Sequence, residues 1–140
     1  MNSAPASSAL TSTDRFSSGD KQAARIVYPA ALAAPTGVSA TWTAVGTSSA
    51  NVRIAFTTDA NTAYVEVTRV AFYTSGSFGP VETVSTSQTP ADVGSFNDYY
   101  APRSGVQYYR YTVRPVSFYT TSSGSSRAYK GPGTDVTVTF

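Results

Sequence analysis

The sequence predicts an all-β chain, a single Greek-key β-sandwich of about seven strands behind an extended N-terminal arm. Three observations predict this fold. From residue 34 onward apolar and polar side chains alternate at period two, Gly and Pro turn signals separate the alternating segments, and no segment has helical periodicity of useful length. Short strands separated in this way are typical of Greek-key sandwiches. We therefore place the arm at residues 1–33 and the sandwich domain at residues 34–140.

The arm is rich in Ala, Ser and Thr and has little strand or helix periodicity. Such a segment buries too little apolar surface to hold a structure of its own. We expect it to gain order only by docking, on a neighbouring subunit or on the domain itself. The residues predicted to dock are Phe16, Ile26, Val27, Tyr28 and Leu32.

The first half of the domain contains three predicted strands. Residues 38–42 form the first, and residues 51–57 form the clearest, with Val, Ile and Phe on one face and polar residues on the other. Residues 63–73 form a long third strand in which Tyr64 and Val65 head competing alternations. Its register is therefore open, and a bulge is expected to switch between the two alternations.

The second half contains weaker signals between two strong strands. Residues 81–85 indicate a short edge strand. Residues 86–105 hold several Gly and Pro and predict loop, with one short strand near 91–93. Residues 107–119 form a long strand with alternating Tyr and Val, and residues 135–140 close the chain with a further alternating strand.

Three features resemble a fibronectin type III domain over residues 34–140. They are the Ala-Pro-Thr-Gly-Val entry at 34–38, the hairpin pair NVRIAFT and AYVEVTRV, and the late Tyr-x-Tyr-x-Val run that begins at Tyr109. The resemblance implies a tyrosine corner, with the Tyr109 hydroxyl against a backbone group near Pro102. The chain departs from the family where its second strand has Phe56 in the place of the usual core tryptophan.

The composition removes most catalytic chemistry. The chain has no Cys and no His, so thiolate metal ligands and the commonest general base are absent. A carboxylate or Ca²⁺ cluster at Asp59, Asp92, Asn97 and Asp98 matches no known ligand spacing, and we interpret these as solvated loop residues and Asx turns. We therefore predict no catalytic residue, no bound metal, no cofactor and no enzymatic activity.

Exposed aromatic and cationic residues are the candidates for surface recognition. The chain has ten tyrosines, too many to be buried together, and an exposed tyrosine offers an apolar face for a protein or a sugar ring. Arg110 and Arg114 alternate with Tyr108 on the outward face of the long late strand. Cross-strand pairing and a solvated sheet face are the alternatives left open. The candidates are Tyr99, Tyr100, Tyr108, Arg110 and Arg114.

Charge and hydropathy limit the partners. Ten Lys and Arg against eight Asp and Glu, without a basic run, predict no nucleic-acid binding. Residues 1–30 hold no apolar stretch of signal-peptide length, and no segment has the ~20 apolar residues that span a bilayer. We expect cytoplasmic synthesis and no membrane insertion.

These observations favour a non-enzymatic structural or assembly protein, most specifically a virion decoration or accessory protein whose arm docks on neighbouring subunits. The expected location is a virion or particle surface, with the extracellular or cell surface as the alternative. The expected partners are protein subunits of a larger assembly, and a homo-oligomer is left open. The alternative function is a carbohydrate-binding or adhesion module that uses exposed tyrosines.

Overall fold

A computed structural model describes the protein over residues 29–86 and 89–140. Over these two stretches the chain forms eight β-strands and no helix, which confirms the all-β prediction. The predicted docking residues Phe16, Ile26, Val27 and Tyr28 lie outside the described residues. The strands are β1 (Thr36–Val45), β2 (Ser49–Thr57), β3 (Tyr64–Tyr73), β4 (Glu82–Thr83), β5 (Ser95–Pro102), β6 (Val106–Thr120), β7 (Ser126–Lys130) and β8 (Thr134–Thr139).

The strands form two antiparallel sheets. The first has the order β1-β2-β5, and the second has the order β4-β3-β6-β7, with β8 also pairing with β6. The long strand β6 is central to the second sheet. On one side it pairs with β3, where Val113 lies opposite Val67, and it also pairs with β8, where Tyr111 lies opposite Val136.

Both sheets contribute to one hydrophobic core. Inward apolar positions alternate with polar outward ones, as expected for strands with one buried face. The largest contributions come from Val52, Ile54 and Phe56 of β2, Val65 and Val67 of β3, and Tyr109, Tyr111 and Val113 of β6.

The register of β3 follows Val65 and not Tyr64. Val65 is buried in the core, whereas the Tyr64 ring packs edge-on against Phe118 at 5.6 Å. The pairing of β3 with β6 is regular until a shift between Phe72 and Tyr73. The alternation that begins at Val65 therefore describes the inward face of β3 up to Phe72, and no bulge switches it to the alternation that begins at Tyr64.

The prediction of loop over residues 86–105 is wrong for its second half. Strand β5 occupies Ser95–Pro102, while residues 91–94 form a turn in which the Gly94 N–H donates to the Ala91 carbonyl at 3.2 Å. The inward positions of β5 are Phe96, Asp98 and Ala101. Because Asp98 is charged, and because two residues separate it from Ala101, the alternation of apolar and polar residues that marks a strand is interrupted in the sequence.

A buried ion pair joins the two sheets. Arg69 of β3 contacts Asp98 of β5 at 2.6 Å and Glu82 of β4 at 2.9 Å, and the Tyr111 hydroxyl donates to the same Asp98 carboxylate at 2.7 Å. Asp98 is only 8% exposed, so its interpretation as a solvated loop residue is wrong. Burial and the hydrogen bond to Asp98 raise the pKa of the Tyr111 phenol, so it stays protonated and donates.

Replacing Asp98 with Ala should lower the free energy of unfolding by about 3 kcal/mol, because the Arg69 guanidinium loses its buried partner and the Tyr111 hydroxyl loses its acceptor. Urea unfolding measures the change. The matched control is Asp135→Ala, which removes an exposed carboxylate that accepts from Thr112 at 2.7 Å and should cost less than about 1 kcal/mol. Equal losses in the two variants would contradict the proposed role of the buried pair.

The segment before β1 is fastened to the domain by its backbone. The Tyr129 hydroxyl donates to the Ala30 carbonyl at 2.7 Å, and the Ala33 N–H donates to the Asp59 carboxylate at 2.9 Å. The Ala33 N–H and the Thr62 hydroxyl lower the pKa of Asp59. Leu32 is buried, so the fold of this chain already uses the side chain that the sequence placed among the docking residues.

Residues 121–125 connect β6 to β7. Within this segment the Thr121 N–H donates to the Ser125 carbonyl at 2.8 Å, and the Gly124 N–H donates to the Thr121 carbonyl at 2.9 Å. Gly124 has a φ of 88°, a conformation that glycine adopts without steric cost. The segment is thus a tight turn between β6 and β7.

Candidate recognition surfaces

The five predicted surface residues lie on two different sheets. Tyr99 and Tyr100 belong to β5 of the first sheet, whereas Tyr108, Arg110 and Arg114 belong to β6 of the second. The five residues therefore lie on two separate surfaces, one on each sheet.

The surface on the first sheet is created by a β-bulge. Val52 pairs with Asp98 and Ala50 pairs with Ala101, so Tyr99 and Tyr100 together face the one residue between Ala50 and Val52. Such a two-against-one arrangement inserts an extra residue into the strand. Since Asp98 and Ala101 on either side are both buried, both tyrosines between them lie on the solvent side.

The bulge holds its second tyrosine in an unusual conformation. Tyr100 has a φ of 58°, and it is the non-glycine residue with a positive φ in the described part of the chain. The Asn51 side-chain oxygen accepts from the Tyr100 N–H at 3.0 Å. A tyrosine in this left-handed conformation costs about 1–3 kcal/mol of backbone strain. The bulge that contains it exposes two adjacent residues, Tyr99 at 63% and Tyr100 at 69%. We call Tyr99 and Tyr100 the tyrosine bulge.

Tyr100→Gly should be more stable to urea than Tyr100→Ala by about 1 kcal/mol, because glycine adopts a positive φ without the steric cost that alanine retains. The same pair of substitutions at Tyr99, whose φ is negative, is the control. There alanine should be the more stable replacement. Alanine equal to or better than glycine at position 100 would contradict the assigned backbone conformation.

The surface on the second sheet is a cluster of aromatic rings around one arginine. The Phe72 and Tyr108 rings stack with centroids 4.6 Å apart, and Phe78 lies 6.0 Å from Phe72. The Arg110 guanidinium lies 5.1 Å from the Phe72 centroid, within the range of a cation–π contact. The sequence indicated Tyr108 and Arg110 but missed Phe72, which the pairing of β3 with β6 brings to them, and Phe78, which packs beside Phe72.

A shallow apolar groove of about 290 Å³ lies beside these rings. Phe78 and Val81 at the groove are 71% and 69% exposed. Arg110 makes no hydrogen bond or ion pair with another described residue. We call Phe72, Phe78, Val81, Tyr108 and Arg110 the aromatic–arginine surface, an exposed apolar patch that carries one unpaired cation.

Arg114 does not belong to this surface. Its Nε donates to the Gly131 carbonyl at 3.3 Å, and it lies opposite Glu66 in the sheet. Between Arg110 and Arg114 stands Thr112, whose hydroxyl donates to Asp135. Arg114 is therefore engaged within the fold.

A second groove of about 500 Å³ lies toward the other end of the same sheet. Its walls include Val116 and Phe118, and the Lys130 ammonium contacts the Glu66 carboxylate there at 2.8 Å. Since its two charged groups neutralise each other, this groove offers no unpaired charge to a ligand.

In the described stretches no group of three or more His, Cys, Asp or Glu side chains is placed to hold a metal ion. Those same stretches contain no helix that is long and apolar enough to cross a membrane.

Comparison with known proteins identifies no relative. No protein-family model matches the chain, and no curated protein and no solved structure matches it at a significant level.

Proposed function

We propose that this chain is a non-enzymatic structural protein that joins a larger assembly by binding neighbouring protein subunits. The observation that carries the proposal is the aromatic–arginine surface, where Phe78 and Val81 are largely exposed beside Arg110, which has no ion pair with another described residue. Aromatic residues and arginine are enriched in protein interfaces, and contiguous exposed apolar patches commonly mark interaction sites. A protein partner would bury these rings and supply the missing counter-charge.

For the fold we propose a fibronectin type III-like Greek-key sandwich. The strand orders β1-β2-β5 and β4-β3-β6-β7 support it, because the chain leaves the second sheet after β4 and returns to pair β5 with β2. The Tyr109 hydroxyl donates to the Pro102 carbonyl, which is the contact that the resemblance predicted.

The most specific form of the proposal is a virion decoration or accessory protein that stands on a particle surface. A composition rich in Ser and Thr with few charges supports a surface location. The arm supplies the second attachment, through the predicted docking residues Phe16, Ile26, Val27 and Tyr28. They precede Ala30, whose carbonyl accepts a hydrogen bond from the Tyr129 hydroxyl.

Phe78→Ser should reduce binding to the natural assembly by at least about tenfold, because a well-packed aromatic anchor commonly contributes 2 kcal/mol or more. Binding is measured by co-sedimentation of the purified protein with the particle from its natural source. The variant should remain folded, because Phe78 is 71% exposed and its replacement removes little buried apolar area.

Phe118→Ser is the matched control, because Phe118 is also exposed on the second sheet but lies at the other groove. It should bind as the unchanged protein does. Deleting residues 1–28 should also weaken co-sedimentation while the domain stays folded. Full binding by Phe78→Ser, or equal losses with Phe118→Ser, would contradict the proposed surface.

A second candidate function, glycan binding, is favoured by the tyrosine bulge. Two adjacent exposed rings can stack on a sugar, and polar side chains such as Asn51 and Arg53 lie on the neighbouring strand. On this proposal the strain at Tyr100 serves to present both rings on the same side of the sheet.

If the bulge binds sugars, a glycan array probed at high protein concentration should give hits that Tyr99→Ala and Tyr100→Gly both remove. Tyr100→Gly is the sharper variant, because it relieves the backbone strain and so separates loss of the ring from loss of the fold. An array without hits, or hits that survive both substitutions, would exclude this function.

A further inference from the structure

One carboxylate of the described chain has no partner. The carboxylates that accept hydrogen bonds or form ion pairs are Asp59, Glu66, Glu82, Asp98 and Asp135. Asp92 makes no such contact with any other described residue. Asp92 is therefore an anion without an ion pair among the described residues, as Arg110 of the aromatic–arginine surface is a cation without one.

Asp92 lies in an exposed turn next to an exposed apolar residue. The turn is closed by the hydrogen bond from the Gly94 N–H to the Ala91 carbonyl, and the Gly94 carbonyl accepts from the Phe56 N–H at 3.0 Å. Val93, which follows Asp92, is 64% exposed. The turn thus exposes a carboxylate next to an apolar side chain. Hydrogen bonds at both ends of the turn hold it to the domain.

This pair is complementary to the aromatic–arginine surface. The groove beside Phe78 and Val81 is apolar, and its volume of about 290 Å³ has room for an apolar side chain such as valine. The Arg110 guanidinium lies over the Phe72 ring, an arrangement that keeps its N–H edge available to a carboxylate. Val93 in the groove would bring Asp92 to that edge.

The two patches of one copy cannot meet. The Ala91 N–H donates to the Ala63 carbonyl, next to the first residue of β3. Arg110 lies opposite Val70, near the other end of the same strand. The seven residue-to-residue steps from Ala63 to Val70 span roughly 23 Å in an extended strand. A contact between Asp92 and Arg110 therefore requires two copies.

We propose that this protein self-associates head to tail, with Asp92 and Val93 of one copy on the aromatic–arginine surface of the next. This inference rests on the proposed function, because it names a second copy as the subunit that binds this surface. The contact joins two different patches, so it repeats from copy to copy into a row or a ring. A turn buries little area, and the association is weak unless a particle holds the copies close together.

The test is sedimentation velocity of the full chain over a wide concentration series, with the variants Arg110→Asp, Asp92→Arg and the double variant that exchanges the charges. Both positions are exposed, so the variants should fold. The unchanged chain should associate as concentration rises. Each single variant should weaken association at least about tenfold, and the double variant should restore most of it, because close interfacial charge pairs couple by more than about 1.5 kcal/mol.

Arg53→Asp is the matched control, since Arg53 is an exposed arginine of the first sheet without a hydrogen bond or ion pair to another described residue. It should associate as the unchanged chain does. A chain that stays monomeric, single variants that associate normally, a double variant that is not restored, or an equal loss in Arg53→Asp would each overturn the inference.

The Phe78→Ser experiment separates this failure from failure of the proposed function. If charge exchange has no effect while Phe78→Ser still loses the natural particle, the surface binds a different subunit and only the head-to-tail contact is overturned. If Phe78→Ser changes neither particle binding nor self-association, both proposals fall.

Discussion

The buried ion pair between Arg69 and Asp98 is the contact on which both candidate surfaces depend. Arg69 points inward from β3, and Asp98 points inward from β5. On the outer side of the same strands stand the residues of the two surfaces, Phe72 on β3 and the tyrosine bulge on β5. Because alternate residues of a strand face opposite ways, fixing the inner residues also fixes the outer ones. One polar contact within an apolar core therefore positions both exposed surfaces.

A polar contact specifies this position in a way that apolar packing does not. Valine side chains tolerate small shifts of one sheet over the other, whereas a buried charge must meet its partner or remain unpaired. The Tyr111 hydroxyl narrows the geometry further, because it donates to the same carboxylate that Arg69 contacts. Fixing the position of the two sheets in this way gives Arg69, Asp98 and Tyr111 a role in the core of a chain with few charged residues.

The sequence predicted the strands whose inward positions are all apolar, but it missed β5 and predicted no separate strand at β7. The inward residues of β2 are Val52, Ile54 and Phe56, whereas β5 places the charged Asp98 between Phe96 and Ala101 and interrupts its alternation with the bulge. Period-two analysis reads hydrophobicity alone, so a strand that buries a charge appears as loop.

The recognition surfaces were predictable in part. Alternation along β6 correctly placed Tyr108 and Arg110 on the outer face, and the presence of more tyrosines than a core can bury suggested that Tyr99 and Tyr100 are exposed. Phe72 and Phe78 were missed, because Phe72 meets Tyr108 through the pairing of β3 with β6, which no local pattern encodes, and Phe78 in turn packs beside Phe72. Once Val65 and Val67 are assigned to the core, the alternation of β3 alone places Phe72 outside.

Disulfide trapping between copies tests the central functional claim, that the chain acts through contacts between its exposed patches and neighbouring subunits. The chain contains no cysteine, so Val81→Cys and Val93→Cys can be made separately and mixed under mild oxidation. The head-to-tail contact predicts that the mixed disulfide between the two variants forms faster than either like pair. Like pairs that form as fast as the mixed one, or no trapped species at any concentration, would contradict it.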